Sequence, residues 1–314
     1  MNLKEKYADL IVRSGLNVQE DQIVVIRASV EMNEFVRLVA HACFEAGAKD
    51  VVVRYSDDEI NRLRYQSGNR MPYDYEAQFY NETALKGACY LSLVGEDPDA
   101  MKGVAPKLLS NYSKTLRGMT KPYRDKLDYV NSSWCVASVP TLAWAKKVYP
   151  NSKDPVSDLW DAVLKISRVN EKDANENWNE HRASFEKRVN ILNHLDIESV
   201  HYKNALGTDL VVELPEGYVF AGGGSFLENG LYYFPNIPTE EIFSAPKKTG
   251  VNGKLYSALP LAYNGAVVRD FWFEFKNGQV VDYDAKEGKD VLTSILDTDE
   301  GAKYLGEIAL VPYG

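Results

Sequence analysis

A chain of 314 residues is long enough for two domains rather than one small core. With 45% hydrophobic and 26% charged residues, and no apolar run near the ~18 residues a membrane span needs, it excludes a transmembrane helix. A formal net charge of −9 argues against a nucleic-acid partner, because binding phosphates requires an excess of basic groups.

The opening MNLKEKYADLIVRSG carries early charges and no signal-peptide core. Its Ala8, Leu10, Ile11 and Leu16 mark the apolar stripe of a first helix. Gln22–Arg27 reads as a buried strand, residues 33–46 as a helix with Phe35, Leu38, Val39, Ala42 and Cys43 on one face, and Gly47 as its C-terminal stop. Lys49–Tyr55 follows as a second buried strand. Strand, helix, strand in so short a span is a βαβ unit, which implies parallel pairing. Ala88–Val94 and Trp134–Val139 fit further strands of the same sheet, with helices around Ala100–Met119 and Asp154–Ile191. Three cysteines (Cys43, Cys89 and Cys135), odd in number and widely spaced, argue against a disulfide framework and for a reducing cytoplasm.

Beyond His194 the texture becomes strand-rich. Val200–Asn204 and Asp209–Glu213 flank a turn at Leu206-Gly207-Thr208. Ser257–Tyr263 and Ala266–Lys276 flank Asn264-Gly265, and Asn277-Gly278 leads into Gln279–Tyr283. Asn-Gly between alternating segments signals a hairpin, since its turn needs positive φ at both central residues. Phe271, Phe273 and Phe275 share one strand face, and Trp272 and Glu274 the other, as in a half-buried antiparallel meander. A last helix, Asp299–Leu305, is expected with Thr298 as its cap. The expected architecture is therefore an α/β domain with an open, mostly parallel sheet over residues 1–194. An α+β domain with an antiparallel meander, incomplete as written, follows over residues 195–314.

The four histidines, His41, His181, His194 and His201, show neither an i,i+4 ligand pair nor HExxH, and each reads as structural or merely exposed. Gly222-Gly223-Gly224-Ser225 lacks the following GK[ST] of a phosphate loop and reads as a turn or a close backbone approach. Pro235 and Pro238 hold Asn236-Ile237 extended. Glu240 and Glu241 follow among aromatic residues, and Glu307 stands before the apolar strand Ile308–Val311. Taken in isolation, such carboxylates are usually caps or solvated charges.

Several phrases carry more. Pro-Asn-Ile-Pro-Thr-Glu-Glu at 235–241, Leu-Asp-Thr-Asp-Glu-Gly-Ala at 296–302 and Gly-Glu-Ile-Ala-Leu-Val-Pro-Tyr at 306–313 stand beside the Gly-Gly-Gly-Ser loop and the opening Tyr-Ala-Asp-Leu-Ile-Val. With them the chain resembles the thermophilic aminopeptidase T family of metallopeptidases over essentially its whole length. The resemblance implies an enzyme that removes the N-terminal residue of peptides. A pair of divalent metals, zinc or cobalt, would polarise the scissile carbonyl and activate a water. It implies metal ligation by Glu241, with Glu240 the near-equal alternative, and by Glu307 as a bridge. It also implies a homodimer acting on peptides with a free N-terminus. The family's remaining ligands, histidines and an aspartate, have no counterpart before Gly314. The expectation is thus the front portion of the enzyme, a weak zinc binder without turnover. Two alternatives stay open: a non-catalytic binding or assembly module with this fold, and a nucleotide- or sugar-using enzyme built on the α/β half.

Overall fold

The computed structural model describes residues 1–67 and 74–312. Helix α1 (Leu3–Leu10) is opened by a capping box in which Asn2 and Glu5 bond each other's backbone, and it runs on into a wider π-type turn, Ile11–Leu16. Then come β1 (Ile23–Ser29), α2 (Asn33–Glu45), β2 (Asp50–Ser56), α3 (Asp58–Gln66), α4 (Asp74–Leu85) and β3 (Cys89–Val94). Helices α5 (Pro106–Met119) and α6 (Lys121–Asp128) precede β4 (Trp134–Ser138), and α7 (Leu142–Val148), α8 (Pro155–Ile166) and α9 (Ala174–His194) follow it. The strand-rich part holds β5 (Ser199–Lys203), β6 (Asp209–Glu213), β7 (Ala221–Gly222), β8 (Ser225–Phe226), β9 (Tyr232–Tyr233), β10 (Asn236–Ile237) and β11 (Ile242–Ser244). Last are β12 (Val251–Tyr256), β13 (Leu261–Tyr263), β14 (Ala266–Lys276), β15 (Gln279–Glu287), α10 (Lys289–Leu296) and β16 (Ile308–Leu310).

These elements form two compact units that interleave along the chain. The first takes residues 1–97, 111–183 and 223–239, and the second residues 98–110, 184–222 and 240–314. The first unit is built on a five-stranded sheet in the order β10-β4-β3-β1-β2, all its pairs parallel. Its strands are apolar runs because helices cover both faces. Tyr7, Leu10, Ile11, Val24, Ile26 and Trp178 are among its fully buried residues. The three cysteines lie buried here as free thiols, and burial pushes the Cys43 thiol up to about 12.

The second unit carries an antiparallel sheet in the order β13-β14-β12-β6-β5, with β15 beside β14. Leu210, Val212, Val251 and Phe275 fill its core together with Phe185, Phe220, Ile242 and Ile308. A smaller sheet, β16-β11-β7, belongs to the same unit.

A parallel α/β sheet and an antiparallel meander are both present, as expected, while four details differ. Asn236-Ile237 is a strand, and it adds to the parallel sheet beside Val136 and Ala137 of β4. The expected strand over Ser257–Tyr263 is confined to Leu261–Tyr263, and the pairing partner of β14 and β6 is the earlier β12. The last α-helix is α10, upstream of the expected one. Residues Glu300–Lys303 form only a 3-10 turn, capped by Asp299, whose carboxylate accepts from the Ala302 N–H, rather than by Thr298. Helices α3 and α4 also occupy a stretch that periodicity left blank: α3 buries no residue, so it has no stripe to read.

Candidate functional site

In the second unit, β11 opens directly after Glu241 and β16 directly after Glu307. The strands pair antiparallel, with Ile242 opposite Leu310, Phe243 opposite Ala309 and Ser244 opposite Ile308. Directly opposed residues share a face of such a ladder, and faces alternate along each strand. Carried one residue outward, the alternation sets Glu241 and Glu307 on the face of the Phe243–Ala309 pair, one at each end of it. Exposure agrees, since Phe243 is exposed between buried Ile242 and Ser244, and exposed Glu307 precedes buried Ile308. Glu240 and Glu241 are both half-buried.

The ladder is held firmly from its other side. Ile242 and Ile308 enter the core with Phe220 and Val251. Ser244 Oγ donates to the Val219 carbonyl at 2.9 Å, and Tyr202 Oη donates to the Ala309 carbonyl at 3.4 Å. Strand β7 runs along β11 with Gly222 opposite Ile242. A Cβ on Gly222 would lie 2.8 Å from the Glu241 carbonyl oxygen, so the close approach expected at this glycine run is real and sits beside Glu241. The entry to β7 is pinned by Asn193, whose Nδ2 donates to the Phe220 carbonyl at 2.9 Å while its Oδ1 accepts from the Phe220 N–H at 2.7 Å. Nothing in the sequence marks Asn193, which is one polar residue of a long polar helix.

The Glu307 carboxyl senses its neighbour. Partial burial, and then the charge of Glu241, hold the Glu307 carboxyl above the usual carboxylate range. Two negative groups on one face favour a cation near them.

The histidines do not join this pair. His41 meets Glu45 at 3.3 Å, His194 Nδ1 contacts the Asn190 carbonyl at 2.6 Å, and His201 Nε2 contacts Asp209 at 2.7 Å. His181 is buried edge-on to Trp178, with Nε2 2.9 Å from the Thr239 carbonyl. Among the described residues, no three His, Cys, Asp or Glu side chains gather closely enough to hold a metal ion. The donor set therefore meets only part of what a metal ion requires, since even a catalytic zinc takes about three protein ligands. The family phrase over 306–313 is described through Pro312, and its Tyr313 lies outside the described residues.

Comparison with known proteins gives a consistent set of relatives. The profile of a family described as thermophilic metalloprotease (M29) matches residues 2–314. Aminopeptidase AmpS of Bacillus subtilis (strain 168) is 38% identical over 313 residues, covering 98% of this chain and 76% of that protein. Aminopeptidase T of Thermus thermophilus is 34% identical, covering 98% of this chain and 77% of that protein. The solved structure of wild-type AmpT from Thermus thermophilus superposes with a TM-score of 0.88 at 33% identity, covering 99% of this chain and 78% of that one.

Proposed function

Because this chain belongs to the thermophilic metalloprotease (M29) family, we propose that it is built for metal-dependent aminopeptidase chemistry, the removal of N-terminal residues from peptides. The observation that supports the reading most directly is the placement of Glu241 and Glu307 on one face of the β11–β16 ladder, in a chain whose relatives are aminopeptidases. We assign the cation-binding role to Glu241 rather than Glu240, because strand alternation carries Glu241 onto the face it shares with Glu307, and its charge raises the Glu307 carboxyl. Both carboxylates would also draw the positively charged amine of a peptide's N-terminus toward that face.

The family chemistry to which these residues contribute is the two-metal, activated-water reaction, with zinc or cobalt as the cations. Among the described residues two carboxylates do not complete such a centre, and the proposal includes weak zinc binding and no turnover by residues 1–314. The proposal further includes a homodimer and a cytoplasmic setting, the latter supported by three free thiols.

The reading is tested by fusing this chain to the part of Bacillus subtilis AmpS outside the matched 76% and offering leucyl-p-nitroanilide and its N-acetylated form with zinc or cobalt. Cleavage of the free-amine substrate alone, lost in Glu307→Gln, is the expected result. A fusion that is folded by circular dichroism and cleaves neither substrate, or both equally, would overturn it.

A further inference from the structure

The first unit carries a feature that the aminopeptidase reading does not use. Its parallel sheet reverses direction in strand order between β1 and β3, since the chain moves from β1 outward to β2 and then crosses to β3 on the other side. In open α/β sheets the carboxyl ends of the strands beside such a reversal leave a crevice that binds ligands. A cavity of about 490 Å³ lies there, walled by the segments that follow β1 and β4. That volume is within the range of about 300–1,000 Å³ typical of small-molecule sites.

The base of this crevice is tightly closed. The Val139 N–H donates to the Val94 carbonyl at 2.7 Å, joining the ends of β3 and β4. A Cβ on Gly95 would fall 1.9 Å from the Val139 carbonyl oxygen, so only glycine lets the two segments meet. Thr141 closes the same corner by donating its hydroxyl to the Gly95 carbonyl and capping α7.

The lining divides into apolar and charged parts. Phe35 and Trp160, both buried with ring centroids 5.3 Å apart and planes tilted by 51°, form an aromatic wall continued by Leu38. Lys4, Glu31 and Glu34 are exposed at the crevice, and none of the three closes an ion pair among the described residues. The Lys4 ammonium instead hangs over the Trp160 ring, 4.5 Å from its centroid. Glu31 also faces a carboxylate-rich strand edge, where it adds to the field of Glu96 around Asp58. A single cation above an aromatic wall and two carboxylates beside it are complementary to a zwitterion with an apolar body.

We infer that this crevice binds a free α-amino acid with an apolar or aromatic side chain. The ligand's carboxylate meets Lys4, its ammonium meets Glu31 and Glu34, and its side chain lies on Phe35, Leu38 and Trp160. Each charge of the zwitterion meets the opposite sign, its one carboxylate the Lys4 ammonium and its one ammonium the two glutamates. The site lies wholly in the first unit and needs neither metal nor turnover.

The test is calorimetric titration of the full 314-residue protein, without added metal, by L-phenylalanine, phenethylamine and 3-phenylpropionate. The indole N–H resonance of Trp160 is followed by NMR in parallel. L-Phenylalanine is expected to bind with a Kd below about 10 mM, at least about tenfold tighter than either truncated analogue, and to shift the Trp160 resonance. Lys4→Met and Glu34→Gln, both at exposed positions and checked for unchanged thermal unfolding, should each weaken it by about tenfold. Failure of L-phenylalanine to bind, equal binding of an analogue, or binding indifferent to both substitutions would each overturn the inference.

Discussion

Glu241 and Glu307 stand at opposite ends of one exposed ladder face, separated by the Phe243–Ala309 pair, and the charge of the first is felt by the second. Glu307 therefore titrates as a member of a pair. Replacing Glu241 with Gln removes the like charge and should bring the Glu307 carboxyl down toward the ordinary range, though not fully, since partial burial is the larger cause. Carboxyl-detected NMR titration of wild type and Glu241→Gln reads this directly. An unmoved Glu307 would show that the two do not communicate.

The same displacement sets a pH dependence of stability. Because the Glu307 carboxyl is raised in the folded state, folded protein holds more proton than unfolded protein between the ordinary carboxylate range and the raised value. Stability from this group is thus complete below the ordinary range and is lost as pH rises through the raised one. Glu307→Gln removes that loss. Its Tm relative to wild type should be more favourable at neutral pH than at about pH 4, near the ordinary carboxylate range. Thermal unfolding at the two pH values measures the difference, and an opposite sign would contradict the assignment.

Gly222 offers a steric test. Its added Cβ would meet the Glu241 carbonyl oxygen at 2.8 Å and the Ile242 Cα at 3.1 Å, both backbone atoms that cannot swing aside. Gly222→Ala should therefore cost about 1–3 kcal/mol in denaturant unfolding and disturb the Glu241 resonance. Gly118, inside α5 with open space around its Cβ, is the matched control. Gly118→Ala should stabilise by about 0.5–1 kcal/mol, as alanine does in a helix. Equal effects at both positions would mean that the close approach at Gly222 has no consequence.

These relationships differ in how far the amino-acid order discloses them. The βαβ start is legible because Val24, Val25 and Ile26 are continuously apolar and Gly47 stops α2 in the left-handed region. The hairpin at Asn264-Gly265 is legible because both residues adopt the positive φ its turn demands. Helix α10 leaves no such mark, since its N-cap is Gly288, which has no side chain to cap the first N–H groups. Strand β10 is hidden for another reason: two residues between prolines join a sheet whose other strands lie far back in the chain, and local pattern says nothing about long-range pairing. The carboxylate pair shares that difficulty. Family phrases single out Glu241 and Glu307, but only the three-residue ladder of β11 with β16 brings them to one face.

Asn193 is the support that local pattern misses, and it is testable on its own. Its amide makes a reciprocal pair of bonds with the Phe220 backbone, just before β7. Asn193→Ala leaves the Phe220 N–H and carbonyl without that partner, and each such loss costs about 1–3 kcal/mol when the group stays dry. The variant should unfold at lower denaturant, and hydrogen exchange should accelerate at Phe220 ahead of the α/β sheet. Uniform acceleration across both units would argue against a local role.

Zinc affinity tests the completeness of the donor set. A structural zinc site with a full set of ligands yields about 10–16 kcal/mol of binding free energy. Here two carboxylates meet on one face, and no third His, Cys, Asp or Glu joins them among the described residues. Carboxylates alone are hard oxygen donors that hold zinc loosely, and the repulsion a shared cation would relieve is modest at this exposed face. Calorimetric titration of residues 1–314 with zinc should give a Kd weaker than about 10 µM, roughly 7 kcal/mol or less. Glu241→Gln and Glu307→Gln should each weaken it further, and the double variant should add little to either single one, since the two groups act on one ion. Nanomolar binding that survives both substitutions would place the cation elsewhere in the chain and remove the ladder from the proposed centre.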